Sequence, residues 1–296
     1  MNQTTSNFSK LPAAVRGAFF MILAGIAFAG VNIATQWATQ VDGQGATAVA
    51  FYQYLFALVF ALPWIWREGR KALATNHLGW HIVRVVLSAG GVQAFVSSLA
   101  SLEIWLVIAL TMTSPFFVIA GAGLLLKENI TMSRIVATVA AFIGAMIILE
   151  PWSATFALTA LLPILAAALW AGASLITKFL TADEKPATIT VYLLLLLTPI
   201  NAVVLVTTGF VVPAGSHLMI LIALGVLTAA ANYCMTRAYA TADAAYLQPF
   251  DDLKLPLNVL ASWLVFAYAP SFNFWPGAAL IAAASLYIAT RENKTA

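Results

Sequence analysis

The chain has 296 residues, of which 62% are hydrophobic and 8% charged, and its net charge is +3. A soluble globular domain carries roughly 25% charged residues, so the composition excludes that class and, with a mean hydropathy of +0.93, points to a bilayer. The single cysteine, Cys234, excludes an intramolecular disulfide, the three histidines are too scattered for a ligand set, and the basic residues form no patch, so no metal, cofactor or nucleic acid is expected.

The first ten residues, MNQTTSNFSK, are polar and lack the apolar core of a signal peptide, which leaves the first helix as the expected targeting signal. A hydrocarbon core about 30 Å thick needs about 20 apolar residues per helix. Ten such windows start near Gly17, Gly45, Trp80, Glu103, Met132, Phe156, Ala187, His217, Ala244 and Phe274, and the connections leave no room for a soluble domain. Thirteen of the fourteen Lys and Arg fall on one side of this arrangement and none on the other, so both termini are expected in the cytoplasm. The remaining one is Lys254. The expectation is an all-α integral membrane protein of ten transmembrane helices.

In the first window Gly25, Ala29, Asn32 and Gln36 share one stripe of a 3.6-residue period, and such a stripe should face protein or an aqueous cavity. Shifting the chain by 142 residues lays the segment from Met21 over that from Pro163, with Gly30 on Gly172 and a second stripe at Ala167, Ala171, Ser174 and Lys178. A shift of 141 lays Pro115 over Pro256. The halves, 1–150 and 151–296, therefore read as two five-helix repeats. Five is odd, so they must insert upside down relative to each other, the architecture of alternating-access carriers. The fifth and tenth windows hold almost no polar atoms and read as peripheral packing helices.

The ninth window contains LQPFDDLKLP, Leu247 to Pro256. Asp251 and Lys254 lie three apart on one helical face and can pair, whereas Asp252 points away and is left over. Buried charges persist when paired, hydrated or functional. These three residues are candidate cavity groups, with Asp252 a candidate proton acceptor, and an ion pair between helices is the alternative. Pro249 and Pro256, with Pro115, are candidate bending or gating points. Asn32, Gln93, Trp170, Asn232 and Tyr246 are further candidate liners, while Trp105, Trp152 and Trp275 read as an interfacial belt. Asp251 and Asp252 are adjacent and point about 100° apart, so they form no catalytic dyad, and a membrane-embedded enzyme is the weaker reading.

FAGVN from Phe28, WAGASLITK from Trp170, TMTSPFFVIAGAGLLLKEN from Thr111 and LYIATREN from Leu286 resemble the drug/metabolite transporter superfamily, specifically its EamA-type ten-helix exporters. Pro115 and Glu128 stand where that family usually has proline and glutamate, whereas Ala269 departs from the glutamate of the second repeat. The whole chain is most similar to the YddG-like branch. That resemblance implies an exporter of amino acids, including aromatic ones, in the bacterial inner membrane, with a small-molecule substrate, lipid around it, protons as a candidate coupling ion and a monomeric or homodimeric state. Other metabolites or drugs of the superfamily are the alternative cargo.

Overall fold

A computed structural model of the chain describes residues 12–69, 74–125, 132–150, 152, 157–180, 183–184, 186–209, 213, 215–239, 241, 250 and 253–292. The described residues are helical with no strand. In chain order the helices are α1 (Ala13–Gln36), α2 (Ala46–Glu68), α3 (Leu78–Leu99), α4 (Ile104–Thr111), α5 (Ser114–Leu125), α6 (Met132–Leu149), α7 (Leu162–Leu180), α8 (Pro186–Thr208), α9 (Ser216–Tyr239), α10 (Lys254–Phe266) and α11 (Phe274–Glu292). A π-helical turn, Trp37–Val41, prolongs α1, and a 3-10 turn, Leu158–Leu161, leads into α7. Among the described residues, six stretches are long and apolar enough to cross a membrane: Val15–Val41, Ala46–Pro63, Leu78–Leu99, Leu158–Thr177, Thr188–Thr208 and Ser216–Met235.

The fourth hydrophobic window is not one helix. Thr111 Oγ1 donates to the Ile108 carbonyl and Thr113 Oγ1 to the Leu110 carbonyl, at 2.8 and 2.7 Å. Pro115 has no N–H to offer the preceding turn. The α-helical ladder therefore stops at Thr111 and restarts at Ser114. In the ninth window the described helix α10 begins only at Lys254 and spans 13 residues before a left-handed Ala267 ends it. Pro115 and Pro256 both sit in the first turn of a helix, where a missing N–H removes no intrahelical bond.

Helix α1 lies along α9, α3 along α7, and α6 along α11; α2 packs on α8 and α9, α5 on α7, and α10 on α1 and α4. One apolar core gathers Leu99, Ile104, Leu110, Phe274 and Ile281 around α4. A second gathers Val49, Val85, Leu197, Leu221 and Leu224 between α2, α3, α8 and α9. Along α1 the exposed residues Val15, Phe19, Leu23 and Ile26 form an apolar outer face, while Gly25, Ala29, Asn32 and Gln36 are buried, as the stripe predicts. In α7, Ala167 and Ala171 are buried but Ser174 is exposed. Trp105 departs from the belt expectation: it is buried at 6% exposure, edge-on against Phe274, because α4 is enclosed by α10 and α11. Trp152 and Trp275 are exposed, at 69% and 58%.

Candidate functional site

Among the described residues, amides and hydroxyls bridge neighbouring helices, as does Arg84 of α3, which donates to the Ile189 carbonyl of α8 at 2.7 Å. Asn32 of α1 donates to Asn258 of α10 at 2.9 Å, and Asn258 in turn donates to the Lys254 carbonyl at 2.7 Å. Both amides are buried. Gln93 of α3 donates to Asn201 of α8 at 2.9 Å, and Gln53 of α2 donates to Thr228 of α9 at 3.1 Å. Asn201 is fully buried, and its amide nitrogen has no hydrogen-bond partner among the described residues; the same holds for the Gln53 carbonyl oxygen. These are one spare donor and one spare acceptor in the same helical layer, since Thr198, one turn before Asn201, donates to the carbonyl of Tyr54, the residue after Gln53.

Trp170 of α7 is half-buried against Phe95 of α3, with ring centroids 5.2 Å apart. Gly91 makes this possible, because any Cβ there would run into the indole. Further along α1, Gln36 donates to the Leu102 carbonyl at 3.1 Å, and Gln40 donates to the Leu99 and Leu102 carbonyls at 2.9 and 3.1 Å, holding the α3–α4 connection. In that connection burial pushes the Glu103 carboxyl above its ordinary range.

The sequence candidates thus fall into two groups. Asn32 meets Lys254 through Asn258, and Gln93 lies on the same helix as the glycine beneath Trp170. Asn232 only bonds back to the Thr228 carbonyl of its own helix, at 2.8 Å. Lys254 opens α10 and is half-buried; Pro256 is exposed. Tyr246, Pro249, Asp251 and Asp252 lie outside the described residues. Two surface grooves, of about 250 and 480 Å³, are lined by Gly30, Ile33, Trp37 and Ile220 and by Asn76, His77 and Trp80 respectively, and neither touches Asn32, Gln93 or Trp170.

Sequence reasoning did not single out Asn201, Asn258 or the histidines. The amides were detectable as lone polar residues in apolar runs. The histidines pair with carboxylates at the helix ends: His81 Nε2 lies 2.6 Å from Glu184 Oε2, His77 Nε2 lies 3.4 Å from Asp183 Oδ2, and His217 Nδ1 lies 3.2 Å from Asp42 Oδ2.

A helical bundle with an apolar outer face, buried amides joining its helices and an interrupted hydrophobic segment at α4–α5 is the build of a membrane transporter. The comparisons with known proteins agree. Residues 15–150 match the EamA-like transporter family. A riboflavin transporter of Rhizobium johnstonii is 54% identical over 292 residues, covering 99% of this chain and 96% of that protein. An S-adenosylmethionine uptake transporter of Rickettsia felis is 26% identical over 246 residues, covering 83% of each chain. A solved crystal structure shares the fold at a TM-score of 0.63 and 16% identity, over 94% of this chain and 98% of that one. The chain belongs to the EamA-like transporter family, and it is a multi-pass protein of the bacterial inner membrane rather than an enzyme. Amino-acid export, which the YddG-like resemblance implied, is not supported: these two relatives are named for riboflavin and S-adenosylmethionine.

Proposed function

We propose that the chain is a secondary transporter that carries riboflavin, or a closely similar neutral flavin, across the inner membrane. The observation that carries this reading is the 54% identity to a riboflavin transporter over 99% of the chain. The chemistry of the interior supports it. Riboflavin is uncharged, with a flat tricyclic ring, an imide edge and a polyol tail. A flat ring suits the Trp170 and Phe95 pair. An imide presents a carbonyl and an N–H side by side, the complement of the spare Asn201 donor and the spare Gln53 acceptor. A zwitterionic amino acid would instead need two charged partners.

Transport proceeds, in this proposal, by alternating access of two inverted five-helix halves, 1–150 and 151–296, within ten membrane spans. The helix packing supports the duplication. Exchanging each hydrophobic segment for its counterpart five places on turns the α1 and α9 contact into that of α7 and α3, and turns the α5 and α7 contact into that of α10 and α1. The α6 and α11 contact maps onto itself. Interrupted segments mark the binding region of such carriers, and the break between α4 and α5 supports placing the binding region there.

The test is counterflow of labelled riboflavin in liposomes containing the purified protein, with unlabelled riboflavin, tryptophan, S-adenosylmethionine and flavin mononucleotide as competitors. The expected result is exchange of riboflavin inhibited only by flavins. Riboflavin exchange no faster than in protein-free liposomes, or exchange abolished equally by tryptophan, overturns the reading.

A further inference from the structure

We infer that His81 and Glu184 form a proton-binding site at one end of the bundle, and that His217 and Asp42 form its duplicate at the other. The His81 side chain is 0% exposed and that of Glu184 6%. A histidine and a carboxylate so buried, with Nε2 and Oε2 2.6 Å apart, hold a proton between them. The second carboxylate oxygen accepts from Thr75 Oγ1, and the Tyr192 ring of α8 stacks on the imidazole with centroids 4.4 Å apart. His81 Nδ1, also buried, has no hydrogen-bond partner among the described residues. It is the vacant position for an added proton.

The charged and titratable groups around this imidazole come from three elements. From α3 come His77 and Arg84, whose Nη2 donates to the Ile189 carbonyl at 2.7 Å. From the α7–α8 connection come Asp183 and Glu184, and from α8 comes Tyr192; Lys185, next in sequence, lies outside the described residues. With His81 neutral, the Arg84 and Glu184 charges cancel. With Glu184 ionised the contact is already charge-assisted; a proton added to His81 turns it into an ion pair, and so tightens the α7–α8 connection onto the start of α3.

The duplication makes this more than a local staple. The offset of 142 residues that overlays α1 on α7 also carries Asp42, just after the π-helical end of α1, onto Glu184, just after α7. The histidines do not overlay at that offset, but His81 lies in the first turn of α3 and His217 in the first turn of α9, the helix matching α3 in the other half, with His217 Nδ1 3.2 Å from Asp42 Oδ2 as a charge contact without hydrogen-bond geometry. The two pairs stand at opposite ends of the bundle, because α2, with 23 residues or about 34 Å of helix, separates Asp42 from the segment leading to His81. Several other described links between helices use neutral amides or hydroxyls, but at these two junctions both partners are titratable. A proton taken up at one end tightens that end. Riboflavin flux therefore depends on pH, a consequence that rests on the transporter reading, whereas proton binding itself does not.

The test uses Glu184→Gln, which keeps a hydrogen-bonding partner for His81 and Thr75 but removes the charge. In full-length protein labelled with 15N-histidine and held in lipid nanodiscs, three imidazoles are assignable by replacing His77 and His217 singly with Gln. The 15N signals of His81 are expected to respond to pH, and to respond differently in Glu184→Gln. In liposomes, the ratio of riboflavin counterflow at pH 6 to that at pH 8 is expected to differ from unity at least fivefold in the unaltered protein and less than twofold in Glu184→Gln, with KM unchanged. No pH response at His81, or the same response with and without Glu184, overturns the site. Normal riboflavin flux with an unaltered pH profile in Glu184→Gln overturns it too. Titration as expected in a protein that carries no riboflavin upholds the site and overturns the transporter reading instead. Should Glu184→Gln not fold, Asp42→Asn at the more exposed His217 pair gives the same comparison, and an unchanged His217 titration there overturns the duplicate.

Discussion

The contact between α6 and α11 turns on two facing glycines, Gly144 and Gly277. A Cβ placed on Gly144 would lie 2.7 Å from the Gly277 carbonyl oxygen and 2.9 Å from Ile281 Cγ1, and one on Gly277 would lie 2.7 Å from the Gly144 carbonyl oxygen. Carbon and carbonyl oxygen approach comfortably at about 3.3 Å or more, so Gly144→Ala forces the backbones about 0.6 Å apart or tilts them. A carbonyl of a neighbouring helix cannot rotate out of the way as a side-chain tip can. Overpacking of this kind costs about 1–3 kcal/mol. At about 2 kcal/mol the melting temperature falls by roughly 4–8 °C. Cys234 supplies the assay: it is the one cysteine, half-buried on α9, and its reaction with a fluorogenic maleimide on heating reports unfolding without any added label site. Gly30→Ala is the control, since its Cβ would meet only the Leu227 side-chain tip, at 3.2 Å. The double variant Gly144→Ala with Gly277→Ala should fall short of the sum of the single shifts, because the first methyl already separates the helices that the second would push. A Gly144→Ala melting point within 1 °C of the unaltered protein, or full additivity, would refute the close-approach argument.

Two further outcomes follow from the interior. Replacing Asn32 or Asn258 by Leu breaks an interhelical amide pair, and a double-mutant cycle on thermal stability should return a coupling of about 0.6–1.7 kcal/mol, the range for hydrogen bonds between membrane helices; a coupling of zero would mean that the pair forms no bond in the bilayer. Trp170→Ala should raise the KM for riboflavin roughly tenfold, equivalent to about 1.4 kcal/mol of lost ring contact, while Trp275→Ala on the exposed face leaves it unchanged. Equal KM values for the two variants would remove Trp170 from the binding region.

Much of the helical layout is legible because apolar runs of this length admit little else in lipid. The windows starting at Gly45, Met132, Ala187, His217 and Phe274 lie within two residues of observed helix starts. The break in the fourth window escapes a hydropathy reading because Thr111, Met112 and Thr113 do not lower it. The stretch TMTSP nevertheless carries the signal: two hydroxyls that bond back three residues, followed by a proline that cannot donate. Trp105 was misread for a different reason. A tryptophan at the end of an apolar window looks the same whether the window faces lipid or is wrapped by other helices, and only the packing of α10 and α11 around α4 distinguishes the two. His81 and Glu184 are 103 residues apart and share no local pattern. Only the repeat brings them within reach of sequence reasoning, by carrying Asp42 onto Glu184.

The described polar groups follow a gradient along the bundle. Within the helices the bridging groups are the amides Asn32, Gln53, Gln93, Asn201 and Asn258, whereas the ion-pairing groups, His77, His81, Asp183 and Glu184 at one end and His217 with Asp42 at the other, stand where helices begin or connections run. A fixed charge in the middle would attract an oppositely charged ligand but hold it there, and its desolvation would cost at least about 2.5 kcal/mol when the ligand left. Amides impose no such asymmetry: they pair with one another across α1 and α10 or across α3 and α8 when no ligand is present, and can exchange those partners for the edges of a neutral ring. In the proposed transporter, that arrangement would place recognition in exchangeable hydrogen bonds and leave the described histidine–carboxylate pairs to the ends, where gain or loss of charge changes which connection is held shut.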